Sequence, residues 1–317
     1  MRRFSCALVA SVVLACGPQP SAFTEPDGQA PQDGSPLPDA SGADTRVAPV
    51  PVRDGGGSAC SEAAQLVYVL TDSNELYSFR PNLRRFTRIG ALRCPTARAP
   101  NSMAIDRDAV AWVNYVESSL GDSAGSIYRV NTADASCTSA PPINLPRQWF
   151  RVGMGFSTAS ADSTEETLFV TATPDPFAGP SMGLGRIDPA RGALVPIGPF
   201  SGSLRGQSAE LTGTGDGRLY GFFTTNPVQV ARLNRATGAV EEPRSIHGLE
   251  TPQAWAFSFW GGDFYLYTAP SALTGRSSNV TRYRPSDGSV DLAYMSQIGF
   301  RIVGAGVSTC APITPPP

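Results

Sequence analysis

The sequence predicts an all-β fold: about five small antiparallel sheets set in a ring that closes between the first and the last ordered strands. Three observations predict it. The 317 residues include 32 Gly, 29 Pro, 15 Phe, 9 Tyr and 4 Trp, a composition that favours turn-rich β structure over long helices. A short motif recurs about every fifty residues, and a fixed period of that size marks a repeat architecture. Finally, the first copy lacks its leading strand, while the last leading strand has nothing after it, so the two fragments would complete one sheet.

The N-terminal elements come first. Arg2 and Arg3 precede an apolar run from Ala7 to Ala15, too short to span about 30 Å of hydrocarbon but suited to the core of a secretory signal over residues 1–15. The run closes on Val13-Leu14-Ala15-Cys16, which resembles the bacterial lipobox. That resemblance implies cleavage before Cys16, acylation of the cysteine and a membrane anchor. Two or three acyl chains at about 0.8 kcal/mol per buried methylene would hold stably. Gly17 in the next position, rather than Asp, is similar to lipoproteins bound for the outer membrane, so the expected location is the cell envelope. Residues 16–60 are rich in Pro, Gly, Ser, Ala and Asp with one aromatic residue, Phe23. Such a segment cannot bury enough apolar area to offset its ordering entropy and is expected to be a disordered tether, with an r.m.s. reach of roughly 35 to 40 Å. The ordered domain is expected over 61–312, followed by a disordered tail at 313–317.

Within the domain, the segments beginning Leu76-Tyr77, Ile127-Tyr128, Leu184-Gly185, Val230-Ala231 and Val280-Thr281 align without gaps, and their apolar positions 79, 130, 187, 233 and 283 are separated by 51, 57, 46 and 50 residues. Three copies run on through Gly192, Gly238 and Gly288 into a further strand, the glycine supplying the positive φ of a tight turn. Upstream of each copy lies an aromatic-bearing strand: 66–70, 110–113, 168–171, 219–222 and 264–267. Before that comes a shorter strand with a small residue at one register: Ala104, Gly155, Ala256 and Gly306, with Glu210 in the fourth copy. Small residues there suit a crowded central axis. Three or four antiparallel strands per unit, the first nearest the axis, is the construction of a β-propeller blade.

The fullest copy, Val230-Ala231-Arg232-Leu233-Asn234 with Thr237-Gly238, resembles propeller repeats of the broad quinoprotein and YVTN type, and the resemblance covers roughly 62–312. It implies a fold and no cofactor, because the docking tryptophan of quinoprotein blades is missing. Five copies give five blades; six or seven remain the alternative if degenerate blades occupy the intervening stretches. Closure between the N- and C-terminal strands would remove an exposed sheet edge. Cys60 lies just before one closing fragment and Cys310 just after the other. Four cysteines allow three pairings; the pairing of Cys60 with Cys310 and Cys94 with Cys137 is favoured because it would clasp the ring in an oxidising compartment. A metal site is not expected, since no two of these cysteines are close in sequence and the single His247 is distant.

Composition also narrows function. All 25 basic side chains are arginines, so lysine-dependent chemistry is absent. A net charge of -2 and a pI near 5.5 give no broad cationic surface, and nucleic acid is not an expected partner. Gly179-Pro180-Ser181-Met182-Gly183 spells a nucleophile-elbow motif, with Asp188, Asp216 and His247 downstream, but a blade strand follows it where a hydrolase needs a helix. Asn279-Val280-Thr281 is a glycosylation sequon only by spelling. Asp72–Glu75 and Thr214–Gly217 read as hairpin turns, not calcium loops.

Candidate ligand-binding residues lie where chain enters the inner strands: Trp149, Arg151, Arg205, Gln253, Trp255 and Arg301, with Phe150 and Phe300 beside them. These entries share a face with unequal loops between second and third strands, and aromatic faces with arginine forks suit glycans, peptides or carboxylates. Glu210 joins them as a charge at an axial position, and Asp106 lies two residues past the same register. The expected function is a lipid-anchored, surface-exposed, non-catalytic binding or scaffold propeller engaging an envelope protein, peptide or glycan. The alternative, implied by five-bladed glycosidases, is an exported glycoside hydrolase or lyase with acids at the channel, a chemistry that needs two carboxylates about 5 to 10 Å apart.

Overall fold

The computed structural model describes residues 60–117, 123–161, 163–175, 179–270 and 277–316. The signal, Cys16 and the tether expected over 16–60 lie outside the described residues, apart from Cys60.

Among the described residues, twenty strands form five four-stranded antiparallel sheets. The first ordered strands are β1 (Val67–Thr71), β2 (Glu75–Arg80) and β3 (Arg85–Ala91). Blade two holds β4 (Ala99–Ile105), β5 (Val110–Glu117), β6 (Ala124–Asn131) and β7 (Ile143–Leu145), and blade three holds β8 (Val152–Thr158), β9 (Glu166–Ala172), β10 (Leu184–Asp188) and β11 (Ala193–Gly198). Blade four follows with β12 (Ala209–Gly213), β13 (Leu219–Phe223), β14 (Val228–Leu233) and β15 (Val240–Ile246). Blade five comprises β16 (Ala254–Trp260), β17 (Asp263–Ala269), β18 (Asn279–Tyr283) and β19 (Val290–Met295). The chain then ends on β20 (Ile302–Val307), which returns to pair antiparallel with β1, placing Val307 opposite Val67 and Ala305 opposite Val69. The protein is a five-bladed β-propeller, closed between its terminal strands as the sequence predicts.

The aligned turns behave as read: Gly192, Gly238 and Gly288 adopt φ of +60°, +77° and +73°. Blades one and two also have fourth strands, which the sequence does not announce because Arg84 (φ +48°) and Ala135 (φ +60°) take the left-handed positions in place of glycine.

The inner strands β4, β8, β12, β16 and β20 pack on one another in a closed circle. Their small residues are a steric requirement. A methyl group on Gly153 would lie 2.2 Å from the Ala209 carbonyl oxygen and 2.9 Å from Glu210 Cα, and one on Gly304 would lie 3.0 Å from the Met103 nitrogen. Between blades, apolar side chains from facing sheets interlock. Val67, Val69 and Phe79 of blade one meet Tyr265, Tyr267 and Val280 of blade five, with Ile302 and Val307 beside them.

Cys60 and Cys310 form a disulfide with 5.6 Å between Cα atoms, and Cys94 and Cys137 another with 5.0 Å. The first joins segments 250 residues apart in sequence at the point where β1 and β20 meet. Ser308 Oγ reinforces the closure by donating to the Ala64 carbonyl (2.6 Å), and Trp260 Nε1 donates to the Gln65 carbonyl (2.8 Å). The described part of the expected tail is placed: Gly261 N–H donates to the Pro312 carbonyl (2.7 Å), and Ile313 to Pro316 run beside the Gly261-Gly262 turn.

Candidate functional site

Inner strands run from the upper face, where the chain enters them, to the lower face, where they turn into the second strands. Glu210 is the second residue of β12 and lies just below the upper mouth of the axis. It is 5% exposed. Ser102 Oγ on β4 donates to its Oε2 at 2.8 Å, and the Met154 backbone N–H on β8 donates to the same carboxyl. One side chain from blade four thus binds blades two and three across the axis. Burial is the dominant influence and pushes its pKa well above the ordinary carboxylate range, more than the two hydrogen bonds lower it. The axial position thus holds a hydrogen-bonded carboxyl whose named partners are a serine hydroxyl and a backbone N–H, where a catalytic pair would need a second acid.

Asp106 is not that second acid. Its Oδ1 accepts the backbone N–H groups of Asp108 (3.0 Å) and Val110 (2.8 Å), and its Oδ2 accepts Trp112 Nε1 (2.9 Å), so it shapes the turn between β4 and β5 at the lower face. The nucleophile motif also dissolves. Ser181 Oγ donates to the Ala172 carbonyl and accepts from Gly183 N–H, Asp188 accepts from Ala190 and Arg191 N–H, and Asp216 holds Arg218. The Asp72–Asn74 and Thr214–Gly217 stretches are turns, with Asn74 at φ +63° and Gly217 at φ +84°. Asn279 Oδ1 accepts from Gln297 N–H.

At the upper face, the structure separates the predicted ligand-binding residues. Trp149 is corrected: at 3% exposure it is core between blades two and three, its indole lying over Gly185, where a methyl group would be 3.0 Å from the ring. Phe150 is likewise buried, and Phe300 stacks on Tyr77 at 4.5 Å between centroids. Arg151 stands at the entry to β8 on a fixed backbone. Asn114 Nδ2 donates to the Phe150 carbonyl and Asn114 Oδ1 accepts Val152 N–H, while the Arg151 carbonyl accepts Thr173 N–H. Burial lowers the Arg151 pKa, and the nearby Asp175 opposes that shift; its Nε is buried without a hydrogen bond. Arg205 and Gln253 are exposed. Arg301 is half-buried, its Nη1 reaching the Pro270 carbonyl at 3.4 Å. Trp255 is half-buried against the apolar cluster between blades four and five, with its Nε1 unpaired.

The sequence reading missed Glu166. This first residue of β9 accepts Arg107 N–H at Oε1 and Thr309 Oγ–H at Oε2, both at 2.8 Å, and Arg107 Nη1 also donates to Thr309 Oγ1. Blades two and three are thereby tied to the segment that follows β20, next to the Cys60–Cys310 bond. Nothing in a polar run such as Thr164-Glu165-Glu166-Thr167 announces partners 59 and 143 residues away. Burial, with a smaller push from Asp106, raises the Glu166 pKa to about 7. Between about pH 4.5 and 7 the folded state therefore binds more protons here than the unfolded chain, so stability falls as pH rises through that window. The expected size is about 3 kcal/mol. Glu166→Gln, which mimics the protonated form, should match the native protein in urea unfolding at about pH 4 and exceed its stability at about pH 7.5. Equal stability of the two proteins at both pH values would contradict this assignment.

No family model matches the chain, and no curated protein matches it. Its shape is similar to several solved structures. A gluconolactonase from Xanthomonas campestris shares 16% identity over 64% of this chain and 68% of its own, with a TM-score of 0.41. A protein of unknown function from Bacteroides caccae shares 11% over 77% of this chain and 98% of its own (TM-score 0.39), and a xyloglucanase from Xanthomonas campestris 14% over 72% and 36% (TM-score 0.40). These are distant likenesses of shape, and no activity passes from them to this chain.

Proposed function

We propose that this chain is a lipid-anchored, non-catalytic binding propeller of the bacterial cell envelope, which engages a glycan or an envelope protein through its upper face. The observation that supports this reading most is the set of arginines at the entries to the inner strands. Among the described residues neither Arg205 nor Arg301 has a carboxylate partner, and Arg151 keeps a buried Nε without an acceptor. Arginine donors on a fixed scaffold, with Gln253 exposed beside half-buried Trp255, suit carboxylate or saccharide acceptors. The lipobox at Val13–Cys16 and the Pro/Gly-rich stretch after it supply the anchoring part of the proposal. The hydrolase or lyase alternative needs converging acids at the axis; the solitary, hydrogen-bonded Glu210 does not favour it, and it is not carried forward.

The test is capture from envelope extracts by the chain carrying Cys16→Ser, compared with the same chain carrying Arg151→Ala and Arg301→Ala. A partner retained by the first and lost by the second is the expected result. Equal recovery of every partner from both would remove the upper face from consideration. Metabolic labelling with radioactive palmitate should mark the native chain and not Cys16→Ser; unlabelled native chain would remove the anchor.

A further inference from the structure

The blade junctions are not equally filled. Between blades five and one, Tyr265 and Tyr267 close on Phe79, Phe86 stacks on Phe79, and Tyr294 donates its hydroxyl to the Pro81 carbonyl across the gap at 2.5 Å. Between blades four and five, the wedge stays open as a groove of about 470 Å³, within the range of small-molecule sites (about 300 to 1,000 Å³). Blade four contributes Tyr220, Arg232 and Arg244 to it, blade five contributes Asp263 and Arg284, and the C-terminal Ile313–Pro315 stretch forms a wall.

The donors of this groove exceed what its own acceptors use. Arg284 is held by Asp263 (3.5 Å) and Asp287 (3.4 Å), and Arg232 Nη2 by Glu242 (2.8 Å). Arg232 Nε also lies 3.0 Å from Glu241 Oε2, so this guanidinium is held by two carboxylates. Arg244 is exposed and has no carboxylate partner among the described residues. Tyr220 is the half-buried ring of the lining, stacked over Phe259 and edge-on to Phe264. The exposed Arg244 guanidinium, with a half-buried aromatic ring in the same groove, calls for a ligand with an anionic acceptor and a C–H-rich ring face.

We propose that the groove between blades four and five binds an acidic mono- or disaccharide of the uronate class, its carboxylate on Arg244 and its ring against Tyr220. Neither Arg151 nor Arg301 lines this groove, so it is independent of the upper-face reading. Calorimetric titration of the Cys16→Ser chain with digalacturonate and, separately, with neutral galactobiose tests it. Saturable binding of the acidic sugar is expected, with the neutral one bound at least about tenfold more weakly. Arg244→Ala should weaken the acidic sugar by about tenfold and leave the thermal midpoint unchanged, because the side chain is exposed; the Arg151→Ala, Arg301→Ala variant should bind as the parent does. The proposal is overturned by absence of saturable binding, by equal binding of the two sugars, by unchanged binding in Arg244→Ala, or by loss of binding in the upper-face variant.

Discussion

Replacing Cys60 and Cys310 by serine is expected to lower the thermal midpoint by roughly 10 to 20 °C. The bond closes a loop of 250 residues. In the chain-entropy account a loop of that length contributes about 5 kcal/mol by restricting the unfolded chain, and a domain of this size shifts by about 2 to 4 °C per kcal/mol. The location adds to the effect. Cys60 precedes β1 and Cys310 follows β20, so the bond fastens the one blade whose strands come from opposite ends of the chain. Without it, β20 can leave β1 as a local event, exposing the edge of β1 and the flank of blade five. The serine variant should therefore open at β20 before it unfolds globally, whereas replacing Cys94 and Cys137, which close a loop of 43 residues within one side of the ring, should leave β20 as protected as before. Differential scanning calorimetry under non-reducing conditions checks the midpoint. A loss below about 3 °C would mean that the terminal strands are held by their hydrogen bonds and packing alone.

Gly153→Ala is expected to cost about 3 kcal/mol or more, out of proportion to one methyl group. The new carbon would fall 2.2 Å from a backbone oxygen and 2.9 Å from a backbone carbon of β12, and neither can swing aside as a side-chain end could. Relief would require β8 and β12 to separate at the axis, which breaks the packing on both sides. It would also move the Met154 N–H away from Glu210, leaving a buried carboxyl short of a partner. Gly192→Ala is the matched control. Gly192 has φ +60° and nothing within 4 Å of the added carbon, so only the left-handed backbone is penalised, by about 1 kcal/mol. Urea midpoints at constant m-value separate the two. Equal losses would show that the inner strands are not in backbone contact.

Much of this fold was legible in the sequence, for reasons that particular residues make plain. The five-fold register and the small residues at 104, 155, 256 and 306 are dictated by the axis, which tolerates little else, and the glycine turns at 192, 238 and 288 are dictated by φ. Where the backbone rule is obeyed by an unusual residue, as with Arg84 and Ala135, the fourth strand goes unread. Glu210 stood out because a charge replaces a small residue, but its partners could not be foreseen, since Ser102 comes from a blade 108 residues earlier. Trp149 was misplaced for a different reason: an aromatic residue at a strand entry can turn outward or inward, and composition alone does not choose. A signal for the inward choice does exist. The position that holds Tyr77 and Tyr128 in the first two copies holds Gly185 in the third, and that missing ring is the space the Trp149 indole fills. Glu166 had no such trace, because its partners come from segments 59 and 143 residues away.

The account depends above all on closure of the ring by the C-terminal strand. Hydrogen exchange of the native, oxidised chain, resolved to single amides, tests it most directly. The account predicts that the β20 amides bonded to β1 exchange only through global unfolding, at the same free energy as the amides linking β16 to β17 in a blade made of consecutive strands. Fast, independent exchange along 302–307, with β16 and β17 still protected, would contradict it.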